Sequence, residues 1–241
     1  MEENKNETPL YIQAKDYLLG IIRRMEGGAN QLEGENLLAA KLGMSRETIR
    51  KAMTTLIQEG IITRRHGKGN YGHPSLTNLN MRIDLNSDFR RILTSRGYTV
   101  RSFRSGGVVA TPSAGMIKRM PEAEGSAVVA FDLDLLADGR PAIHGSVQLL
   151  RDIVTRIPQA GEYVDNINEY LKDHCQTESN HTTAWLLAEN NAAMARHFSL
   201  EPGTALLCWE EIYYDITDRK MGYVKIYFNP EIMDLSLLLK F

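Results

Sequence analysis

Residues 45–62 read Ser45-Arg46-Glu47-Thr48-Ile49-Arg50-Lys51-Ala52-Met53-Thr54-Thr55-Leu56-Ile57-Gln58-Glu59-Gly60-Ile61-Ile62, and Thr63 leads into Arg64-Arg65-His66-Gly67-Lys68-Gly69. Ser45 is suited to cap a helix, because a short hydroxyl can accept from a backbone N–H that the first turn leaves unpaired. Within that helix Ile49, Met53 and Leu56 recur at helical spacing and face inward, while Arg46, Arg50 and Lys51 face out. Gly60 stops the helix. Ile61 to Tyr71 reads as a hairpin whose tip is supplied by Gly67 and Gly69.

Upstream, residues 35–42 form a short helix with Leu38 and Leu42 one turn apart, and Gly43 permits the tight turn that follows. Residues 10–26 place Tyr11, Ala14, Leu18, Ile21, Ile22 and Met25 on one face of a helix, which Gly27-Gly28-Ala29-Asn30 ends. Helix, turn, helix and basic hairpin together suit a duplex. The third helix can enter the major groove, with Arg46 and Arg50 one turn apart and Ser45 and Thr48 short enough for close approach. Arg64, Arg65, His66 and Lys68 on the hairpin can follow the phosphates or enter the minor groove. A merely solvated basic face is the plainer alternative, but four features in order within thirty residues argue against it.

Charge supports this reading once it is divided by position. The 241 residues carry a formal net charge of −2. Residues 41–74 hold seven basic and two acidic side chains, a local +5, whereas residues 75–241 hold 17 basic and 21 acidic ones, a net −4. A basic patch on an acidic chain marks a polyanion site. The polar N-terminus and the lack of any long apolar run predict a cytoplasmic protein with no membrane association. Cys175 and Cys208 form no C-x-x-C pair and read as free thiols.

The expected organisation is an N-terminal domain over 1–73, a linker over 74–82 around Pro74, and a second domain over 83–241. That second domain contains a duplication at an offset of 78 residues. Ala114, Met116, Gly125 and Ala127 recur as Ala192, Met194, Gly203 and Ala205. Each copy reads helix, glycine turn, strand, turn (Asp138-Gly139 or Asp218-Arg219) and strand. Two copies at this period predict paired hairpins in one antiparallel sheet, hence an α+β fold.

The stretches Ser45 to Ala52, Leu56 to Ile62 and Arg64 to Gly69 closely resemble the GntR family of bacterial regulators. The family's pattern runs S-R-x-T-V-R, L-x-x-E-G-hydrophobic and R-x-x-G-x-G. The resemblance implies that Arg46, Thr48 and Arg50 contact DNA from the recognition helix and that His66 and Gly67 do so from the wing tip. Before the second helix the family usually has P-S-E-R; this chain has Glu33-Gly34-Glu35-Asn36, without the proline and the arginine.

The remainder resembles the UTRA sensor domain of the HutC-like branch. The matching stretches are Asp88-Phe89-Arg90-Arg91-Ile92-Leu93 with Arg96-Gly97-Tyr98, Ala137-Asp138-Gly139-Arg140-Pro141, Gly222-Tyr223-Val224, and Tyr227-Phe228-Asn229-Pro230-Glu231. This resemblance implies a chorismate-lyase-like fold, a homodimer and a small-molecule effector.

Candidate effector residues are Asp132 and Asp134 on the strand before the Asp138-Gly139 turn, His144 and Ser146 on the return strand, Glu211 and Tyr213 on the equivalent strand of the repeat, and Lys225 and Tyr227 near the end. Alternating polar positions can converge on a cavity, or can form the wet face of a sheet. UTRA domains that sense phosphorylated sugars often carry basic residues on that first strand. Phe131-Asp132-Leu133-Asp134-Leu135 has none, so an uncharged, zwitterionic or amine-bearing ligand is expected rather than a sugar phosphate. Trp185 and Trp209 read as core or pocket wall.

His174, Cys175 and His181 match no zinc pattern, and no metal or cofactor is expected. His197 ends a predicted helix, where an interaction with the helix dipole is the ordinary role. No G-x-S-x-G elbow or phosphate-cradling glycine loop is present, so the chain is not expected to be an enzyme. The alternatives are a chorismate-lyase-like enzyme fused to a DNA-binding domain, and an architectural DNA-bridging protein. The sequence predicts a repressor that binds an inverted-repeat operator in double-stranded DNA and is released by its effector.

Overall fold

A computed structural model describes residues 8–26, 28–77, 79, 81–84, 88–161 and 167–239. The chain divides into two compact units, residues 1–85 with 236–241, and residues 86–235. Among the described residues no helix is long and apolar enough to cross a membrane.

In the first unit, α1 (Leu10–Arg23) is followed by β1 (Gln31–Leu32), α2 (Glu35–Leu42), α3 (Arg46–Gln58), β2 (Ile62–Arg65) and β3 (Gly69–Gly72). Gly27 lies outside the described residues. Ala14, Leu18 and Ile22 of α1 meet Leu38 of α2 and Ile49, Ala52, Met53 and Leu56 of α3 in one core, closed below the hairpin by Ile61 and Ile62. Burying each of the larger aliphatic side chains contributes about 1.5–3 kcal/mol, enough to hold a unit of this size. Gly43 takes φ +62°, the left-handed conformation that lets α2 end and α3 start at a steep angle. The hairpin is a three-stranded sheet in the order β1-β3-β2, because Gln31 and Leu32 pair with Tyr71 and Asn70. Of the expected linker, Pro74–Leu76 form a 3₁₀ turn and Arg82 bridges to Ser236. Buried Arg82 also donates to the Glu59 carbonyl at 2.6 Å. The chain's end therefore returns to the first unit, whereas the sequence assigned everything after residue 82 to the second.

The second unit contains α4 (Phe89–Ser95), β4 (Val100–Arg104), β5 (Val108–Ala110), α5 (Ala114–Arg119), β6 (Val128–Ala137) and β7 (Arg140–Leu150). It continues with α6 (Ile167–His174), β8 (His181–Asn190), α7 (Ala192–His197), β9 (Ala205–Tyr214) and β10 (Lys220–Phe228). Its sheet runs β4-β6-β7-β10-β9-β8, with β5 also on β6, and is antiparallel throughout. The duplicated hairpins β6-β7 and β9-β10 meet at the centre through β7 and β10. The order is symmetric about that seam, and β8 occupies in the second half the place that β4 and β5 share in the first. Asp138 and Gly139, both at positive φ, make the tight β6-β7 turn.

Helices cover both faces. Phe89 of α4 packs on Trp209 and Phe228, and Tyr170 of α6 on Phe131. On the other face Met116 of α5 packs with Ile212 and Tyr223, and Phe198, just after α7, with Cys208 and Tyr227. The result is an α+β chain with an N-terminal winged helix-turn-helix and a C-terminal antiparallel sheet with helices.

Candidate nucleic-acid interface and ligand cavity

Helix α3 begins as its sequence predicts. Ser45 Oγ accepts from the Thr48 N–H at 3.0 Å and lies 2.8 Å from Thr48 Oγ1, which fixes two short polar side chains at the helix start. Arg46, Arg64, Arg65, His66, Gly67 and Lys68 are exposed, and Arg50 projects from the same helix with its side chain 41% exposed. Lys51 lies 4.1 Å above the Tyr11 ring, so it packs against α1 instead of projecting freely.

A residue that sequence reading passed over organises this surface. Glu35, the first residue of α2, accepts from Arg46 Nε and Arg50 Nε at 3.3 Å on one oxygen and from Arg64 Nη2 at 3.1 Å on the other. One carboxylate thus ties α3 and the wing together beneath a depression lined by Asn36, Arg46, Arg64, Arg65 and His66. Burial raises the Glu35 carboxyl, but the hydrogen bonds from Arg50 and Arg46 and the charges of Arg50 and Arg64 outweigh it and hold the group below its ordinary value. Asn70 Oδ1 also accepts from Arg64 Nε at 3.0 Å, and Gln31 Nε2 donates to the Lys68 carbonyl at 2.8 Å, bracing the wing. The available signal was the helix N-terminus, where an acidic residue is favoured in any case.

Removing Glu35 separates charge from geometry. Glu35→Ala deletes a negative charge on the proposed DNA-binding face, which favours DNA of any sequence, and unties three arginines from one another, leaving Arg50 on Glu47 and Arg64 on Asn70. The expected result is unchanged or tighter binding to scrambled DNA with discrimination for the cognate duplex reduced about tenfold, or roughly 1.4 kcal/mol. Equal gains on both duplexes would show that Glu35 acts only as a charge.

In residues 86–235, side-chain alternation divides the eight candidate effector residues between the two faces of the sheet. Glu211 and Tyr213 line a cavity of about 120 Å³. They share it with Leu133, Leu135, Ile143, Val147, Val224 and Ile226 from the strands, and with Asp88, Phe89, Arg90 and Asn168 from α4 and α6. Asp132, Asp134, His144, Ser146, Lys225 and Tyr227 project from the opposite face. Of the two alternatives the sequence left open, only Glu211 and Tyr213 stand at the cavity: helices cover both sides, so polarity at alternate positions could not show which side encloses space. Trp209 packs beside the cavity against Phe89, and Trp185 lies under Arg119 on the other face, with Arg119 Cζ 4.1 Å from its ring centre.

Glu211 is 3% exposed and Tyr213 4%. Burial raises the Glu211 carboxyl above its ordinary value, opposed only in part by the neighbouring Tyr213 and Trp209. Among the described residues no cationic side chain forms an ion pair with Glu211. The lining is largely apolar, with buried Glu211 and half-buried Asp88 against the one cation Arg90, a balance that disfavours a ligand carrying negative charge.

On the opposite face Lys225 Nζ meets Glu189 Oε1 at 2.5 Å, and Tyr227 donates to Glu189 Oε2 at 2.9 Å. Ser146 donates to Asp132 at 2.9 Å, while His144 and His197 both reach Asp134. His174, Cys175 and His181 do not form a cluster: His174 Nε2 lies 2.6 Å from Arg156, and His181 stacks on Tyr214. Burial pushes the Cys175 and Cys208 thiols up to about 12, consistent with unreactive free cysteines.

A three-helix unit with a basic wing has the form of a winged-helix DNA-binding domain, and the second unit is a helix-covered antiparallel sheet with a cavity on one face. Residues 13–71 match the family described as bacterial regulatory proteins, gntR family. It is 39% identical over 72 residues to the uncharacterized HTH-type transcriptional regulator YurK of Bacillus subtilis, a match covering 30% of each chain. It is 42% identical over 66 residues to the HTH-type transcriptional regulator GgaR of Escherichia coli K12, covering 27% of this chain and 26% of that protein. These matches thus span less than a third of either relative.

The fold as a whole is similar to the solved structure of the possible transcriptional regulator YydK of Bacillus subtilis, at TM-score 0.70 and 18% identity, covering 97% of this chain and 100% of that one. PhnF of Mycobacterium smegmatis is similar at TM-score 0.50 and 15% identity over 94% of this chain and 99% of that one.

Proposed function

We propose that this chain is a sequence-specific transcriptional regulator, a homodimeric repressor that leaves its operator when a small molecule enters the cavity between α4, α6 and the sheet. The observation that carries the DNA reading is the group of three arginines from α3 and the wing fastened to Glu35. A lyase would have no use for that surface, so the enzyme reading is the weaker one. Homodimerisation is supported by the exposed apolar side chains of Phe103, Val108, Val109 and Leu186 on the outer strands. The proposed effector is neutral or amine-bearing. Leu133 and Leu135 stand on the cavity face of the strand where phosphate-sensing relatives carry basic residues, and Glu211 would repel a phosphate. Asp132 and Asp134, which the sequence placed in that role, do not contribute to this argument because they face away.

The full-length chain is expected to sediment as a dimer at micromolar concentration. From a pool of random duplexes it should select an inverted repeat with half-sites about 10 base pairs apart, or a compact variant of that spacing. A monomer that enriches a single asymmetric site would contradict the homodimeric architecture.

A further inference from the structure

The face of the sheet turned away from the cavity carries a group of side chains that the effector reading does not use. Asp134 of β6 is the register partner of His144 on β7, and His144 Nδ1 lies 2.8 Å from Asp134 Oδ1. His197, the last residue of α7, brings its Nε2 to 2.9 Å from the same oxygen. Asp134, His144 and His197 each offer one donor atom, and these atoms lie within 4.8 Å of one another. No other group of three such residues does so among the described residues.

We infer that Asp134, His144 and His197 form a site for one divalent transition-metal ion of zinc-like chemistry, with a fourth coordination position open to solvent. Two imidazoles and one carboxylate are a donor set suited to zinc, nickel or cobalt and poorly suited to calcium or magnesium, which take oxygen ligands. Tetrahedral zinc with ligand bonds near 2.1 Å needs donors about 3.4 Å apart. The two nitrogen–oxygen distances need to open by only about half an ångström, while the imidazole nitrogens draw together.

Accessibility fits an open site. The side chain of His144 is 11% exposed, that of Asp134 25% and that of His197 31%. The three are therefore partly withdrawn from water without being sealed from it.

The surroundings also suit the tautomer a metal would require. A His144 that ligates through Nδ1 carries its proton on Nε2, and that nitrogen lies 3.9 Å from Asp132 Oδ1. Asp132 is itself held by the Ser146 hydroxyl at 2.9 Å. A carboxylate behind a ligating histidine is the usual orienting partner in such sites, and Asp132 would take that role on closing the 3.9 Å gap by about 1 Å. The ion would join the first half of the duplication, through β6 and β7, to the last residue of the helix in the second half.

The test uses the full-length chain stripped with a chelator and titrated with Zn²⁺ by calorimetry and with Co²⁺ by visible absorption. It requires neither DNA nor effector, so its outcome is independent of the functional reading. The expected result is one equivalent of Zn²⁺ per chain at a micromolar or lower Kd, with Co²⁺ bands of a four- or five-coordinate site. His197→Gln, at an accessible helix end, should weaken binding at least tenfold, and Asp132→Asn about tenfold. His181→Gln should leave it unchanged, and circular dichroism confirms that each variant is folded. No Zn²⁺ uptake by the wild-type chain at about 100 µM would overturn the inference and leave an imidazole–carboxylate hydrogen-bond cluster. Uptake that His197→Gln does not weaken would overturn it equally.

Discussion

Arg50→Ala is expected to lower affinity for the cognate duplex by about 1–3 kcal/mol, a factor of roughly 5–150, and to relax discrimination at one base pair. The reason lies in how the side chain is held. Arg50 extends from α3, with its Nε on Glu35 and its Nη1 on Glu47 at 3.2 Å. Both acceptors restrict the guanidinium before DNA arrives, so a bidentate contact to a base edge costs less ordering. Lys68 is different, standing on the exposed wing tip beside Gly67 and Gly69. Lys68→Ala should weaken all sequences alike and reduce the slope of log affinity against log salt by about 0.9. Titrations on cognate and scrambled duplexes at several salt concentrations separate the two. Equal, sequence-independent losses from both variants would remove Arg50 from base reading.

Glu211→Gln is expected to abolish stabilisation by an amine-bearing ligand while making the ligand-free chain more stable. At a hundred times its Kd a ligand adds about 2.7 kcal/mol, a rise in melting temperature of roughly 5–10 °C, and the variant should lose most of it. The second effect follows from the raised carboxyl. With a folded-state value above the ordinary 4.5, the stability associated with Glu211 is present below that pH and is lost as pH rises through the folded-state value. At neutral pH the glutamine variant avoids that loss and should melt at a higher temperature than the wild-type chain. An ammonium ligand reverses the sign, because it favours the ionised acid and should bind more tightly as pH rises through the same range. Melting curves over amino sugars, amino acids, polyamines and sugar phosphates measure both effects. A large rise with a sugar phosphate, unchanged in Glu211→Gln, would contradict the cavity assignment.

The helical part of the first unit was legible because a single buried face repeats in each helix: Ala14, Leu18 and Ile22, then Leu38, then Ile49, Met53 and Leu56. Strand β1 was not, since two residues carry no periodicity. The role of Glu35 was hidden because its three partners lie 11, 15 and 29 positions away. In the second unit the duplicated helix and hairpin were visible at their offset, and the symmetric sheet order follows from them. The strand that precedes each copy was not recognised, because the first copy breaks it into β4 and β5 around Gly106 and Gly107 while the second runs unbroken as β8.

Alternation correctly grouped Asp132 with Asp134 and Glu211 with Tyr213, yet it could not tell which group meets the cavity. Helices shield both faces, and neither face shows a clean apolar pattern. The pairing of His197 with Asp134, 63 residues apart, depends on the end of α7 meeting β6 and has no local signature.

On the proposed function, α3 and the wing read a specific sequence and do not merely hold a polyanion. The most direct measurement is a competition titration of the full-length chain between its selected inverted repeat and a scrambled duplex of the same length and composition, at near-physiological salt. The expected result is a preference of about a thousandfold or more for the repeat. Equal affinity for the two duplexes, with both falling steeply as salt rises, would contradict it.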